Sequence, residues 1–169
     1  MGIFTSLPKD SPLSAAIGRE SKKLFIAGDH AGYDLKEVLK PFLIDHGYDL
    51  EDLGPHSLDL ADDYPDFVLP LAQAVARAPL SRGIVLGGTG EGEAMAVNRV
   101  SGVRAVVLYS FNEKIVRLSR EHNNSNVLSL GARFLSDEEA KQAVLLWLET
   151  PFTGESRHLR RITKIDAIS

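Results

Sequence analysis

The chain has 169 residues, 44% of them apolar and 25% charged, with a net charge of -4 and no cysteine. This is enough chain for one domain with a core of its own, and the acidic balance gives no global pull toward nucleic acid or an anionic membrane. The lack of cysteine removes disulfides, thiolate metal sites and a cysteine nucleophile and is compatible with a cytoplasmic protein; no apolar run approaches the ~20 residues of a membrane span.

Residues 1–23 carry Pro8, Pro12, several serines and scattered charge without a clear period. They read as a flexible extension ahead of a single domain at 24–169, with room for a short helix at 14–18, and lack the basic start and long apolar core of a signal peptide. Leu24-Phe25-Ile26-Ala27 reads as a first buried strand ending in Gly28-Asp29-His30-Ala31-Gly32. Tyr33, Leu35, Val38, Leu39, Phe42 and Leu43 then recur at helical spacing until Gly47, with Pro41 placed to bend that helix. A second strand at 48–53 is closed by Gly54-Pro55, and an acidic loop at 57–63 follows. Tyr64-Pro65 opens a second helix that turns Val68, Leu71, Ala72, Val75 and Ala76 inward.

The third strand, Ile84-Val85-Leu86, empties into Gly87-Gly88-Thr89-Gly90-Glu91-Gly92, and a helix begins near Glu93. A fourth strand at 103–108, a helix at 113–120 and a short fifth strand at 126–130 come next. Ser136-Asp137-Glu138-Glu139 is a helix start, a capping serine followed by acids suited to the positive end of the dipole. That helix runs to Leu148 and stops before Pro151; a last basic helix spans 157–165. Strands alternating with helices at this spacing predict an α/β fold: a three-layer, doubly wound, Rossmann-like parallel sheet of five strands with helices on both faces.

In open α/β sheets, ligands bind outside the carboxyl ends of the strands, and the polar residues gather there. Four glycines in the six residues 87–92 let the backbone turn sharply and expose several N–H groups to one small ligand. A strand end, a bare loop and a helix start together make an anion site, and Glu93 beside it is the strongest candidate base in the chain. Asp29 and His30 follow strand one. Arg120-Glu121-His122-Asn123-Asn124 precede strand five, so they reach the same site only from a helix end or from a neighbouring subunit. Arg157 and Arg161, four apart, project from one side of a helix and suit a phosphate.

Each feature also has a plainer reading. Asp29 suits a helix cap, His30 a hydrogen-bonded structural histidine, and Glu93 a complement to the helix dipole. The glycine loop suits a tight connection, the His122 segment a helix C-terminus, and the arginines of 157–161 a solvated basic face. The joint occurrence of an acid, two histidines, an anion loop and an arginine pair argues more strongly than any member alone. As a dinucleotide signal the loop is weak: Gly88-x-Gly90-x-Gly92 lacks the GxGxxG spacing, although Asp52 at the end of strand two imitates a ribose acceptor. The P-loop ending is missing as well. The five histidines are scattered with no HExxH, so no metal is assigned.

Gly28-Asp29-His30-Ala31-Gly32-Tyr33-Asp34-Leu35-Lys36 resembles the GxDHAGYxLK opening of the ribose-5-phosphate isomerase B family, which also includes galactose-6-phosphate isomerase subunits. Asp63-Tyr64-Pro65-Asp66, the glycine loop through Glu93, Asn98-Arg99-Val100-Ser101-Gly102-Val103-Arg104-Ala105, Arg120-Glu121-His122-Asn123-Asn124 and Arg157-His158-Leu159-Arg160-Arg161 resemble its later blocks in the same order. The likeness covers residues 24–165. It is specific for the family and leaves the sugar open.

The resemblance implies an aldose–ketose isomerase that interconverts ribose 5-phosphate and ribulose 5-phosphate through a cis-enediolate, without cofactor or metal. Galactose 6-phosphate, allose 6-phosphate or a tetrose phosphate remain alternative substrates, and a non-catalytic sugar-phosphate-binding domain remains a different class of reading. Carried over residue by residue, Asp29 and His122 would assist ring opening and Glu93 would move the proton between C1 and C2. The backbone of Gly88, Gly90 and Gly92, with Asn123, would hold the enediolate oxygen. Thr89 would hydrogen-bond near the reacting carbons and Tyr64 would line the sugar site. His30, Arg133, Arg157 and Arg161 would meet the phosphate and hydroxyls. The resemblance further implies a homodimer or dimer of dimers with shared active sites, in which the C-terminal helix and the His122 segment meet the partner's glycine loop. One departure stands out. Many members carry a cysteine base immediately before the Gly-Thr-Gly of the loop, where this chain has Gly87; Gly90-Glu91-Gly92-Glu93 fits a second branch with a glutamate base, which assigns the base to Glu93 and leaves Glu91 to solvent.

Overall fold

A computed structural model describes residues 22–168 of the chain. The expected extension lies, up to residue 21, outside the described residues, as does the short helix expected at 14–18. Five strands alternate with helices: β1 (Lys23–Gly28), α1 (Tyr33–Asp45), β2 (Asp49–Asp52), α2 (Pro65–Arg77), β3 (Arg82–Gly87), α3 (Glu91–Val97), β4 (Ala105–Leu108), α4 (Glu113–Glu121), β5 (Val127–Gly131), α5 (Asp137–Glu149) and α6 (Ser156–Asp166). The elements match the sequence pattern to within a few residues. Helix α1 runs through Pro41 to Asp45, and α3 begins two residues before Glu93 because Gly90, at φ 79°, turns the chain into it. No helix among the described residues is long and apolar enough to cross a membrane.

The sheet is all parallel, in the order β2-β1-β3-β5-β4. Parallel crossovers are right-handed, so the direction of each step across the sheet fixes which face its helix covers. The steps from β1 to β2 and from β4 to β5 run one way, and those from β2 to β3 and β3 to β4 run the other. Two core layers follow. On one face Leu24, Ile26, Ile84, Leu86, Leu128 and Leu130 pack under α1, α4 and α5, with Trp147 fully buried. On the other face Phe25, Ala27, Val85 and Val127 pack under α2 and α3. The strict alternation along β1 and β3 is the two-residue period of a strand buried on both sides. Because β1 and β3 are neighbours whose chains leave in opposite directions, the crevice at their carboxyl ends is the switch point where such sheets bind ligands.

Two features stiffen this scaffold. Ser136 accepts from the Glu139 N–H while the Glu139 carboxylate accepts from the Ser136 N–H, a reciprocal cap at the start of α5. Lys36, fully buried, donates to both oxygens of Asp52 at 2.8 and 2.7 Å and to the Pro55 carbonyl at 2.8 Å. Lys40 reaches the same carboxylate at 2.8 Å. Asp52, which resembled a ribose acceptor, is therefore committed to tying α1 to the end of β2. Breaking a buried pair by removing one partner costs about 3–5 kcal/mol; with Lys40 still beside Asp52, Lys36→Met is expected at the lower end of that range in urea unfolding, and a loss below about 1 kcal/mol would contradict the role of this lysine.

Candidate active site

The glycine loop leaves β3 at the switch point and is held from the side of β5. Ala132 N–H donates to the Gly87 carbonyl at 2.8 Å and Arg133 N–H to the Gly88 carbonyl at 3.1 Å. A trans peptide sets its N–H opposite its carbonyl, so the Gly88 and Thr89 N–H groups point away from that turn. Ser129, a hydroxyl in an otherwise apolar strand, donates to the Gly90 carbonyl from below. Thr89 is exposed, and its hydroxyl accepts from the Glu91 N–H at 3.3 Å. The loop is thus a fixed turn with donors free to meet a small anion.

Glu93 lies in the first turn of α3 and is buried, whereas Glu91 is exposed. The Glu93 carboxylate fills the space beside Gly87: a Cβ on residue 87 would stand 1.8 Å from Oε1. Burial pushes the Glu93 carboxyl above the ordinary glutamate range; its own N–H opposes the shift, and the carboxylate of Asp29 adds to it. Asp29 is buried at the end of β1, where Oδ1 accepts from the N–H groups of Ala31 at 2.9 Å and Gly32 at 3.0 Å. It is therefore a cap for the turn into α1 and also the acid that faces Glu93.

Three more residues meet this crevice. A Cβ on Gly92 would lie 3.1 Å from the Tyr64 hydroxyl, so the Tyr64 ring closes one side of the loop. The Arg133 guanidinium lies over Gly88, 3.2 Å from where a Cβ there would stand. His30 follows Asp29, and its Nδ1 is 2.7 Å from Asp62 Oδ1. Asp29, His30, Tyr64, Gly88, Thr89, Gly90, Gly92, Glu93 and Arg133 thus gather from the ends of β1, β3 and β5 and the start of α2. Asp29, His30 and Asp62 offer ligand atoms within 4.8 Å of one another. That cluster pairs internally through His30 and Asp62, and no metal is assigned to it.

His122, Asn123, Arg157 and Arg161 form a second group. Helix α4 starts near the carboxyl end of β4 and runs back, so His122 at its C-cap lies at the amino ends of the strands. Buried Arg120 fixes the following loop by donating to the Thr150 carbonyl at 3.2 Å, to Asn124 Oδ1 at 3.0 Å and to the Ser125 carbonyl. Asn124 takes a left-handed φ of 45°. The His158 ring of α6 stacks on His122 with centroids 4.2 Å apart. Arg157 and Arg161 are exposed on α6, and Glu155 holds the Nε of Arg157 at 2.8 Å. In the motif Arg120-Glu121-His122-Asn123-Asn124, the first and last residues shape the loop, while Asn123 is exposed at its tip.

Sequence reasoning missed two contributors to the first group. Asp62 sits in an acidic loop with no period, so only its nearness to Tyr64 marked it. Ser129 was marked only as the one hydroxyl in Val127-Leu128-Ser129-Leu130.

Comparison with known proteins shows the family of the chain. Residues 24–165 match a family model described as ribose/galactose isomerase. The chain is 42% identical over 146 residues to the probable ribose-5-phosphate isomerase B of Mycoplasma genitalium, across 86% of this chain and 94% of that protein. The crystal structure of ribose-5-phosphate isomerase B from that organism, with bound ribulose-5-phosphate, matches with a TM-score of 0.81 over 86% of this chain and 94% of that one. The enzyme of that name from Clostridium thermocellum matches at 43% identity and a TM-score of 0.81, over 86% and 96% of the two chains. The ribose-5-phosphate isomerase B of Mycobacterium leprae is 39% identical over 140 residues, 83% of this chain and 85% of that protein.

The shift of Glu93 has a sign that can be measured. A carboxyl whose pKa is raised on folding stabilises the protein below its unfolded pKa, and that contribution is lost as pH rises through the folded pKa. The neutral variant Glu93→Gln is therefore expected to be more stable than wild type at pH 8, with the difference shrinking toward pH ~4, near the unperturbed glutamate pKa. Urea midpoints across this range test it; a gap that widens as pH falls would contradict a buried, raised carboxyl.

Proposed function

Because the chain belongs to the ribose/galactose isomerase family, we propose that it interconverts ribose 5-phosphate and ribulose 5-phosphate through a cis-enediolate, with Glu93 as the base. The observation that carries this reading is the buried Glu93 carboxylate beside the glycine loop at the switch point, facing Asp29. A general base works best when its pKa approaches the working pH, and burial moves Glu93 in that direction.

In the proposed reaction, Asp29 and His122 assist opening of the furanose ring. Glu93 takes the proton from C2 of the open aldose; the C–H electrons become the C1=C2 bond, and the carbonyl oxygen on C1 becomes an oxyanion. The N–H groups of the loop at Gly88, Gly90 and Gly92, with the Asn123 side chain, stabilise that charge through fixed donors, and Thr89 hydrogen-bonds beside the reacting carbons. Glu93 then returns its proton to C1, while O2 gives up its proton, the C2 carbonyl forms and O1 gains a proton. Tyr64 lines the sugar. Arg133, His30, Arg157 and Arg161 take the phosphate and hydroxyls; the guanidinium fork suits phosphate oxygens. A cytoplasmic setting is part of this reading and suits a chain without cysteine.

The site of this reading is shared between two copies of the chain. Glu93 lies at the carboxyl ends of the strands and His122 at the amino ends, separated by the length of β5, roughly 16 Å at 3.3 Å per residue. One chain cannot bring the two groups onto one small sugar. A twofold homodimer, alone or paired into a dimer of dimers, supplies each glycine loop with a second chain's His122 and α6. Helix α6 suits that use, since His158 is its only buried residue and Ile165 and Ile168 are exposed.

Two experiments test this. Purified protein should equilibrate the two pentose phosphates with no metal added, and Glu93→Gln should lose at least about 10²-fold in kcat, the low end of what a general base contributes. A folded Glu93→Gln protein of near wild-type kcat removes the residue from the role. Mixing Glu93→Gln with His122→Gln subunits should restore about a quarter of wild-type activity, since half the dimers are mixed and each mixed dimer has one intact site. No recovery from a mixture shown to exchange subunits would refute the shared site.

A further inference from the structure

Resting on the reading above that His30 meets the phosphosugar, we propose that Asp62 is a positioning residue that holds His30 as an imidazolium, with its Nε2–H presented to an anionic oxygen of the ligand. The grip has two points on one atom. Asp62 Oδ1 accepts from the His30 backbone N–H at 3.0 Å and from its ring Nδ1 at 2.7 Å. The backbone bond fixes the carboxylate relative to residue 30, and the ring bond then fixes the rotation of the imidazole. With Nδ1 engaged, Nε2 is the ring nitrogen left to meet a ligand.

The charge state follows from what surrounds the pair. The Asp62 side chain is only 7% exposed, and Oδ2 is buried with no partner among the described residues. Among those residues His30 is the only ion partner Asp62 has. A buried carboxylate with one unsatisfied oxygen is costly unless a cation compensates it; a neutral imidazole with its proton on Nδ1 keeps the hydrogen bond but leaves that charge uncompensated. The other charges facing His30 are Asp29, which favours the cation, and Arg133, which opposes it. The bond to Asp62 dominates and, against the opposing effect of burial, His30 is held above the ordinary histidine range.

Asp62 also couples ligand binding to the segment before α2. Its N–H donates to the Asp59 carbonyl at 3.3 Å, and the Asp59 carboxylate accepts from the Ala61 N–H at 3.0 Å. Two residues later the same segment places Tyr64 against Gly92. One short stretch therefore sets the charge of His30 and the sugar-side wall together.

The test compares wild type with Asp62→Asn in the full-length protein. The His30 ring C–H resonance, assigned by its loss in His30→Gln, is titrated by NMR, and kcat and KM for ribose 5-phosphate are measured from pH 6 to 9. In wild type the His30 midpoint is expected above that of free histidine and in Asp62→Asn below the wild-type value. KM is expected to rise about tenfold at pH 7.5, the scale of one charge-assisted hydrogen bond, with a smaller fall in kcat. The pH above which KM climbs should move down, and Asp62→Glu should recover part of each change; Asp62→Ser serves if the asparagine variant does not fold. An unchanged His30 midpoint in a folded variant, or a fall in kcat at constant KM, overturns the proposal. If wild type does not turn over ribose 5-phosphate, the isomerase reading fails, while the NMR titration with and without inorganic phosphate still decides whether Asp62 sets the charge of His30.

Discussion

The site depends on one close contact: the Glu93 carboxylate occupies the space that a side chain on residue 87 would enter, 1.8 Å from where its Cβ would stand. Everything near the loop is consistent with keeping that space for the carboxylate. Strand β3 ends in a residue without a Cβ. Gly90, in the left-handed region, turns the chain so that the third residue of α3 points back to the strand end. Ser129, Ala132 and Arg133 hold the loop carbonyls from β5 and the turn after it. A side chain on residue 87 would require the Glu93 carboxylate to swing out of this place, so the missing Cβ at 87 and the position of the carboxylate go together.

Chain direction constrains the rest. In a parallel sheet every strand delivers its following loop to the same end, which is why Asp29, the glycine loop and Arg133 converge without long excursions. Helices run back the other way, so residues that follow a helix and precede a strand fall at the opposite end. His122 and Asn123 are such residues, and no rearrangement of loops within one subunit reverses that. The internal fastening of the second group points the same way. Arg120, Thr153 and the stack of His158 on His122 bind the end of α4 to the start of α6, so the two segments form one rigid surface. On the proposed reading that surface is built to be presented to another chain.

Much of this was legible in the sequence because it rests on period and punctuation. Alternating β-branched and leucine runs, glycine stops, the Ser136 cap and the basic last helix each fix an element locally, and the order of elements fixes the fold. The exposure of Glu91 was legible only through the resemblance, which left Glu91 to solvent; periodicity did not mark it, because the helix was expected to begin near Glu93 rather than at Glu91. What was hidden depends on pairing across long separations. Asp62 meets His30 from 32 residues away through a loop that has no period. Asp52 looked like a ribose acceptor because its position at a strand end was right; only the approach of Lys36 and Lys40 from α1 shows it to be occupied. Asp29 illustrates a third case, in which the plain reading, as a cap for the turn into α1, does not compete with the proposed role because one oxygen, Oδ1, takes both backbone donors.

Electrostatics explains why binding and proton transfer would be divided between the two groups. Glu93 and Asp29 already place two acids in the crevice, and a phosphosugar brings a further dianion into a chain whose net charge is -4. Cations are needed close by, yet a cation packed against Glu93 would pull its carboxyl down and weaken it as a base. The arrangement keeps them apart. Arg133 lies over Gly88 and His30 is drawn aside by Asp62, while Arg157 and Arg161 stand on an exposed helix at the far end of their own subunit. Arg157 is only loosely engaged with Glu155, as an exposed pair, and such pairs rearrange at little cost when a better anion arrives. A second chain can then supply positive charge to the phosphate end of the ligand while the sugar end stays beside a buried, charge-poor glutamate. On the proposed reading, the separation that leaves one chain incomplete is also the one that keeps its own Arg157 and Arg161 away from the base.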